Sequence, residues 1–202
     1  ASDVGAAKSV QAALSSITGL PCKIVHISVC SPELLTGLNP RGIVIGGQKT
    51  PWWQYSPAEL NGVYRMLRAS RVPTLGICGG HQLITKAFGG RVAPIRILRK
   101  GSKGYSGCYR ERGWKPIKLQ QGDPLFKGIG AVPRMWLNHC EEIKVIPQQF
   151  RTIGRGDVCK IQTIRHGTLP IYGMQFHPES ADDAHPAGRQ LLRNFVTMCK
   201  AQ

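Results

Sequence analysis

The run Thr74-Leu75-Gly76-Ile77-Cys78-Gly79-Gly80-His81-Gln82 has the form G-x-C-x-G at an expected strand-to-helix junction. It is the cysteine version of a nucleophile elbow, in which small flanking residues permit a tight, strained turn. Such a turn lifts the thiol to the carboxyl edge of a sheet. There the N–H groups and dipole of the following helix favour thiolate over thiol, and the N–H of Gly79 can point at a developing oxyanion. The competing reading makes Cys78 a small buried hydrophobe, as most cysteines are.

A thiol nucleophile needs a base for its proton, and the base needs a third group to orient its imidazole. Tyr172-Gly173-Met174-Gln175-Phe176-His177-Pro178-Glu179 ends an expected strand directly before a histidine, with Pro178 fixing the turn and a carboxylate two residues on. Cys78, His177 and Glu179 could supply all three groups, although an isolated His-x-Glu is usually an ordinary surface pair. The Gly46-Gly47 turn after an apolar strand adds a further piece. In a parallel sheet its N–H groups emerge at the same carboxyl edge as Cys78, which makes Gly47 a candidate second oxyanion donor. The plainer alternative is a simple tight turn.

Other patterns carry less. Gly42 to Thr50 approaches a phosphate-binding loop, but Gln48 separates Gly47 from Lys49 and the loop is too short to wrap phosphates. Cys78 with His81, or His139 with Cys140, lacks further ligands at a recognisable spacing, so no metal and no cofactor is expected. Trp52, Trp53 and Tyr55 beside Pro51 form an aromatic loop that reads as a lid, a docking surface or a loop tucked against its own domain.

The elements that must position these groups follow from periodicity. Residues 3 to 18 read as a helix capped by Ser2 or Asp3, with Val10, Ala13, Leu14 and Ile17 on one face and Gly19 and Pro21 ending it. Strands are expected at Lys23 to Val29, Gly42 to Ile45 and Pro73 to Ile77. Helices are expected at Pro32 to Leu38, from Ser56-Pro57 with a stripe of Leu60, Val63, Tyr64 and Leu67, and from Cys78 to Phe88-Gly89-Gly90. This alternation argues for a doubly wound α/β sheet. The second half is richer in strands, expected near Ile95–Leu98, Pro116–Leu119, Arg134–Leu137, Glu142–Ile146, Val158–Ile164 and Ile171–Phe176, with a closing helix at Pro186–Cys199. No linker separates two cores, so residues 1–202 read as one domain. Because an open α/β sheet usually begins with a strand, a first strand is expected before Ala1, either cleaved off or supplied from elsewhere.

Composition bounds the rest. The 202 residues are 42% hydrophobic with 24 Gly and 14 Pro, enough for a core and many turns and far from a disordered chain. No apolar run is long enough to span a bilayer and no signal peptide is evident, so a spanning membrane protein is excluded. Seven cysteines without any C-x-x-C suggest neither a disulfide framework nor a zinc ribbon, and the expected compartment is reducing and cytoplasmic. With 27 Lys+Arg against 11 Asp+Glu the formal charge is +16. Between Lys86 and Lys118, ten basic residues face only Glu111, a local net of +9. Together with Tyr105, Tyr109 and Trp114 this suggests either a nucleic-acid surface or an acidic partner.

Taken together, Gly76 to Gln82 and Gly173 to Glu179 resemble the nucleophile and His-Glu motifs of the class I glutamine amidotransferases, the triad type. Phe88-Gly89-Gly90-Arg91-Val92, Asp123-Pro124-Leu125-Phe126, Trp136-Leu137-Asn138-His139 and Leu191-Leu192-Arg193-Asn194-Phe195 are similar to weaker family landmarks in the same order. The resemblance runs from about residue 4 to the end. It implies a flavodoxin-like, mostly parallel sheet with extra antiparallel strands in the second half. It implies hydrolysis of glutamine to glutamate and ammonia through a glutamyl thioester on Cys78, with Gly47 and Gly79 as oxyanion donors. Gln82 and the backbone around Asn138 and His139 would hold the substrate's amino-acid end. It makes nucleic acid the weaker reading of the charge, which is then expected to dock an acidic surface of a separate synthase that receives the ammonia. The sequence departs from the family at Gln48, where Pro is usual, and at Gly79, where a bulkier residue is common. Two other functions stay open: a stand-alone γ-glutamyl amide or peptide hydrolase with the same triad, and a non-catalytic binding or regulatory protein.

Overall fold

The computed structural model describes residues 5–201; the cap expected at Ser2 or Asp3 lies outside the described residues. In the first half, α1 (Gly5–Thr18) and α2 (Pro32–Leu38) precede β1 (Ile43–Ile45), α3 (Pro57–Ala69), β2 (Thr74–Ile77) and α4 (Gly79–Ala87). Local chemistry explains these limits. Gly19 takes a φ of +64° after α1, and Asn39 closes α2 in the left-handed region at +41°. Ser56 and Glu59 form a reciprocal capping box with Pro57 at the first helical position, while Leu60, Val63, Met66 and Leu67 are buried beneath α3. Tyr64, expected in that stripe, is half-buried.

The second half contributes β3 (Arg91–Pro94), β4 (Glu111–Pro116), β5 (Lys118–Leu119), β6 (Arg134–His139), β7 (Glu141–Val145), β8 (Phe150–Arg155), β9 (Thr163–His166), β10 (Ile171–Met174) and α5 (Ala187–Lys200). The main sheet has six strands in the order β1-β2-β10-β9-β8-β5. β1, β2 and β10 run parallel, and β9, β8 and β5 extend the sheet antiparallel. β3 pairs with β7, and β4 with β6, as separate ribbons. The doubly wound sheet with added antiparallel strands is therefore present.

Alternation along the strands divides the core. Leu75, Ile77, Tyr172 and Met174 pack with Val10 and Leu14 of α1 and with Leu191, Leu192 and Phe195 of α5. The other face, with Ile164 and Ile171, takes Leu60, Val63 and Leu67 of α3 and Leu83 and Ile84 of α4. Every residue of β2 and β10 is buried, as expected of central strands covered on both faces.

Several expectations need correction. Residues 22–26 form no strand, and Ile27–Val29 is a 3-10 turn capped by His26. The stretch has strand-like composition but pairs with no strand among the described residues, and Val29 is 61% exposed. At Ile95–Leu98 only an isolated bridge from Ile97 to Cys108 forms, and the strand lies earlier, at β3, where Arg91–Pro94 finds β7. Residues 156–162 turn back, Gly156 N–H donating to Cys159 C=O, so β9 starts only at Thr163. β4 and β8 were not expected at all.

Candidate active site

The site is built where β2 ends. Cys78 has φ +52° and ψ −102°, a strained conformation for a residue with a side chain. Its N–H donates to Met174 C=O at 2.7 Å, so β10 holds the strained residue in place. The turn is possible only because its neighbours lack side chains. A Cβ on Gly76 would lie 2.6 Å from the Gly80 backbone, and one on Gly80 would lie 2.1 Å from Ile45 C=O. The elbow thus presses α4 against β2 and β1 together.

Because β10 runs parallel to β2 with Met174 opposite Ile77, both strands deliver their following residues to one edge. His177 follows there, its N–H anchored on Trp136 C=O at 2.9 Å. Its Nδ1 bonds Glu179 Oε1 at 2.7 Å, and the two side chains are 15% and 5% exposed. The other ring nitrogen, Nε2, is buried and unbonded within the protein. Burial works against an imidazolium here, but Cys78 and Glu179 outweigh it and push the His177 pKa up to about 10. A protonated imidazole beside the Cys78 sulfur is the state this arrangement favours.

Gly47 closes the group. A Cβ on it would lie 3.4 Å from His177 Cε1 and 3.6 Å from Cys78 Cβ, so the turn after β1 abuts both of these residues. Gly79 opens α4 directly after Cys78, where helix N–H groups have no intrahelical partner. The structure therefore brings Cys78, His177, Glu179, Gly47 and Gly79 together.

The remaining expected residues are placed less directly. Asn138 C=O stands 4.0 Å from Cys78 Sγ, while its side chain accepts from Arg110 at 2.9 Å. His139 does not turn its side chain to the thiol; Nε2 meets Glu111 Oε2 at 3.0 Å and Nδ1 meets Glu141 C=O at 2.9 Å. Gln82 is buried with its amide committed: Oε1 accepts from Trp52 Nε1 at 2.8 Å, and Nε2 donates to Glu141 C=O at 2.9 Å and Gln175 Oε1 at 3.1 Å.

Three residues here went unrecognised in the sequence. Gln175 donates to Cys78 Sγ at 3.6 Å and links the thiol to Gln82. Its signal was its place two residues before His177 on the same strand end. Glu141 is a buried carboxyl that burial pushes up in pKa while the hydroxyl of Tyr105 donates to it. Tyr105 in turn meets Trp53 edge-on, ring centres 5.4 Å apart, so the aromatic loop touches the basic segment. Neither contact left a local trace in the sequence. Glu111, the one acid counted in that segment, is 3% exposed, so it does little to offset the segment's surface charge. A separate cavity of about 480 Å³ near Arg134, His185 and Arg189 contains none of the expected site residues.

Among the described residues no group of three or more His, Cys, Asp or Glu side chains is arranged to hold a metal, and no helix is long and apolar enough to cross a membrane. The sequence model described as "Glutamine amidotransferase class-I" matches residues 2–199. A protein of Pyrococcus abyssi, named as one of the subunits of glutamine-hydrolyzing GMP synthase, is 35% identical over 167 residues, covering 83% of this chain and 80% of that protein. The Pyrococcus furiosus protein of the same name is 33% identical, covering 90% and 87%. A solved structure from Thermoplasma acidophilum, described as the same component of a GMP synthase, superposes with a TM-score of 0.78 at 28% identity, covering 96% of this chain and 88% of that one.

Proposed function

The chain belongs to the class I glutamine amidotransferase family, and on that premise we propose that it is a glutaminase domain working beside a separate synthase. The observation that carries this reading is the state of His177: Glu179 occupies Nδ1, while Nε2, taken up by no other protein group, is left to interact with the strained Cys78.

In this mechanism the Cys78 thiolate attacks the γ-amide carbon of glutamine, and the carbonyl oxygen takes the negative charge against the N–H groups of Gly47 and Gly79. As the tetrahedral adduct collapses, the C–N bond breaks and His177 Nε2 gives its proton to the departing nitrogen, releasing ammonia and leaving a glutamyl thioester. Water then attacks the thioester carbon while His177 Nε2 takes its proton. The C–S bond breaks, glutamate leaves, and the thiolate beside the imidazolium is restored. Glu179 keeps the ring oriented throughout, and Gln175 supports the sulfur's negative charge. Gln82 acts one layer back, holding Gln175 in place. The Asn138 backbone faces the substrate's amino-acid end.

The names of the relatives support GMP synthase as the assembly, with its synthase component receiving the ammonia. The Lys86–Lys118 segment, with its local net of +9, would dock an acidic surface of that component. Glutamate release from free glutamine and from γ-glutamyl peptides tests the reading. Turnover of glutamine that disappears in Cys78→Ala is expected, and turnover of γ-glutamyl peptides alone would instead favour a stand-alone hydrolase.

A further inference from the structure

Three glutamine side chains surround the Cys78 elbow, and they are not equivalent. Gln82 and Gln175 have their amides bonded to each other, to Trp52, to Glu141 and to the sulfur. Gln48 has both amide atoms buried and neither bonded within the protein. A buried carboxamide without partners destabilises a fold, and native proteins rarely keep one without use for it.

Its position says what that use is. Gln48 follows Gly47 on the turn that abuts Cys78 and His177, and its side chain runs across Gly79. A Cβ on Gly79 would lie 2.6 Å from Gln48 Cγ, 2.8 Å from Gln48 N and 3.2 Å from Gln48 Cβ. The space that a side chain at 79 would fill is occupied by Gln48. The unbonded amide therefore belongs to a residue in contact with both expected oxyanion donors. His177 Nε2 and Glu179 Oε2, also buried and unbonded, belong to the same edge.

We propose that Gln48 is a substrate-binding residue whose carboxamide pairs with the γ-carboxamide of the bound amino acid, a proposal that rests on the glutaminase reading above. An amide offers two N–H donors and one carbonyl acceptor, and a second amide facing it offers the complement. Gln48 Nε2–H donates to the substrate's carbonyl oxygen, a bond that strengthens as that oxygen gains charge. The substrate's amide N–H donates to Gln48 Oε1, which holds the leaving nitrogen in place for the proton of His177. Glutamate has no such N–H, so the pairing also discriminates substrate from product, because the unmatched acceptor is left buried.

The test uses Gln48→Met, a flexible side chain of similar length that can still fill the space over Gly79 but forms no amide bonds. The expected result is a loss of about 10- to 100-fold in kcat/KM for glutamine, with a melting temperature unchanged or raised by about 2–4 °C, since the unmet amide is gone. In the inactive Cys78→Ala protein, calorimetry should show glutamine binding weakened about 10-fold on adding Gln48→Met, with glutamate binding changed less. Gly79→Ala should cost activity as well, by expelling Gln48. A Gln48→Met protein with unaltered kcat/KM and unaltered glutamine affinity overturns the proposal, as does one that loses activity and melting temperature together, which would make Gln48 a packing residue. If the unmodified chain neither hydrolyses glutamine nor binds it as Cys78→Ala, the glutaminase reading fails and the proposal with it. Hydrolysis that ignores Gln48→Met sinks the proposal alone.

Discussion

The protein holds two buried histidine–glutamate pairs, and they use their imidazoles differently. His139 and Glu111 bridge β6 and β4 at 3.0 Å with side chains 1% and 4% exposed, and the second imidazole nitrogen is closed off by Glu141 C=O. His177 and Glu179 meet at 2.7 Å, and the second nitrogen is open beside the thiol. Residue types and burial are nearly the same. What differs is whether both nitrogens are used, and that decides between a structural brace and a base. His81, fully buried on α4, marks a third outcome: burial drives its pKa down to about 3 and keeps it neutral.

The sharpest way to break this contrast is to delete each ring in turn. His177→Ala should lower kcat for glutamine by roughly 10⁴-fold or more. His139→Ala should act on stability instead, losing roughly 3 kcal/mol because Glu111 is left buried without its partner, while kcat per folded molecule stays within about 10-fold of the unmodified chain. Equal losses of kcat in the two variants would erase the distinction. Next in size is Glu179→Gln, expected to cost about 10²–10⁴ in kcat/KM. It should also move the alkaline limb of the pH profile downward. Glu179 is one of the groups that raise His177 to about 10, so without it the imidazolium is lost at lower pH.

A smaller effect concerns stability against pH. The folded His177 is raised above its ordinary value near 6.5. The stabilisation it contributes is therefore complete below about pH 6.5 and is lost as pH rises toward about 10. In Cys78→Ala that alkaline loss should shrink, which thermal melts across the range would record. The smallest and least local effect is on docking. Association with the synthase component should weaken as salt rises if the basic segment steers it, and salt-insensitive binding would contradict that role.

The candidate site at this sheet edge was legible in the sequence because its constraints are short in range. The elbow needs glycine at 76 and 80 and a helix directly after 78, all within nine residues, and His177 and Glu179 sit two apart at a strand end. What could not be read depends on partners far along the chain. The Gln82 amide is used up by residues 30, 59 and 93 positions away, and nothing around position 82 signals this. β4 carries Gly113 at φ +107° and ends in Pro116, poor strand material that is held by β6. Lys23 to Val29 shows the converse, since good strand composition forms no strand where no pairing partner is found.

The central claim is that Cys78 is a nucleophile made reactive by the open nitrogen of His177. It is tested most directly by following glutamate release together with intact-protein mass after mixing with glutamine, in the unmodified chain and in Cys78→Ala. The account predicts turnover and a transient glutamyl adduct on Cys78 in the first, and neither in the second. Glutamate release that survives Cys78→Ala would contradict it.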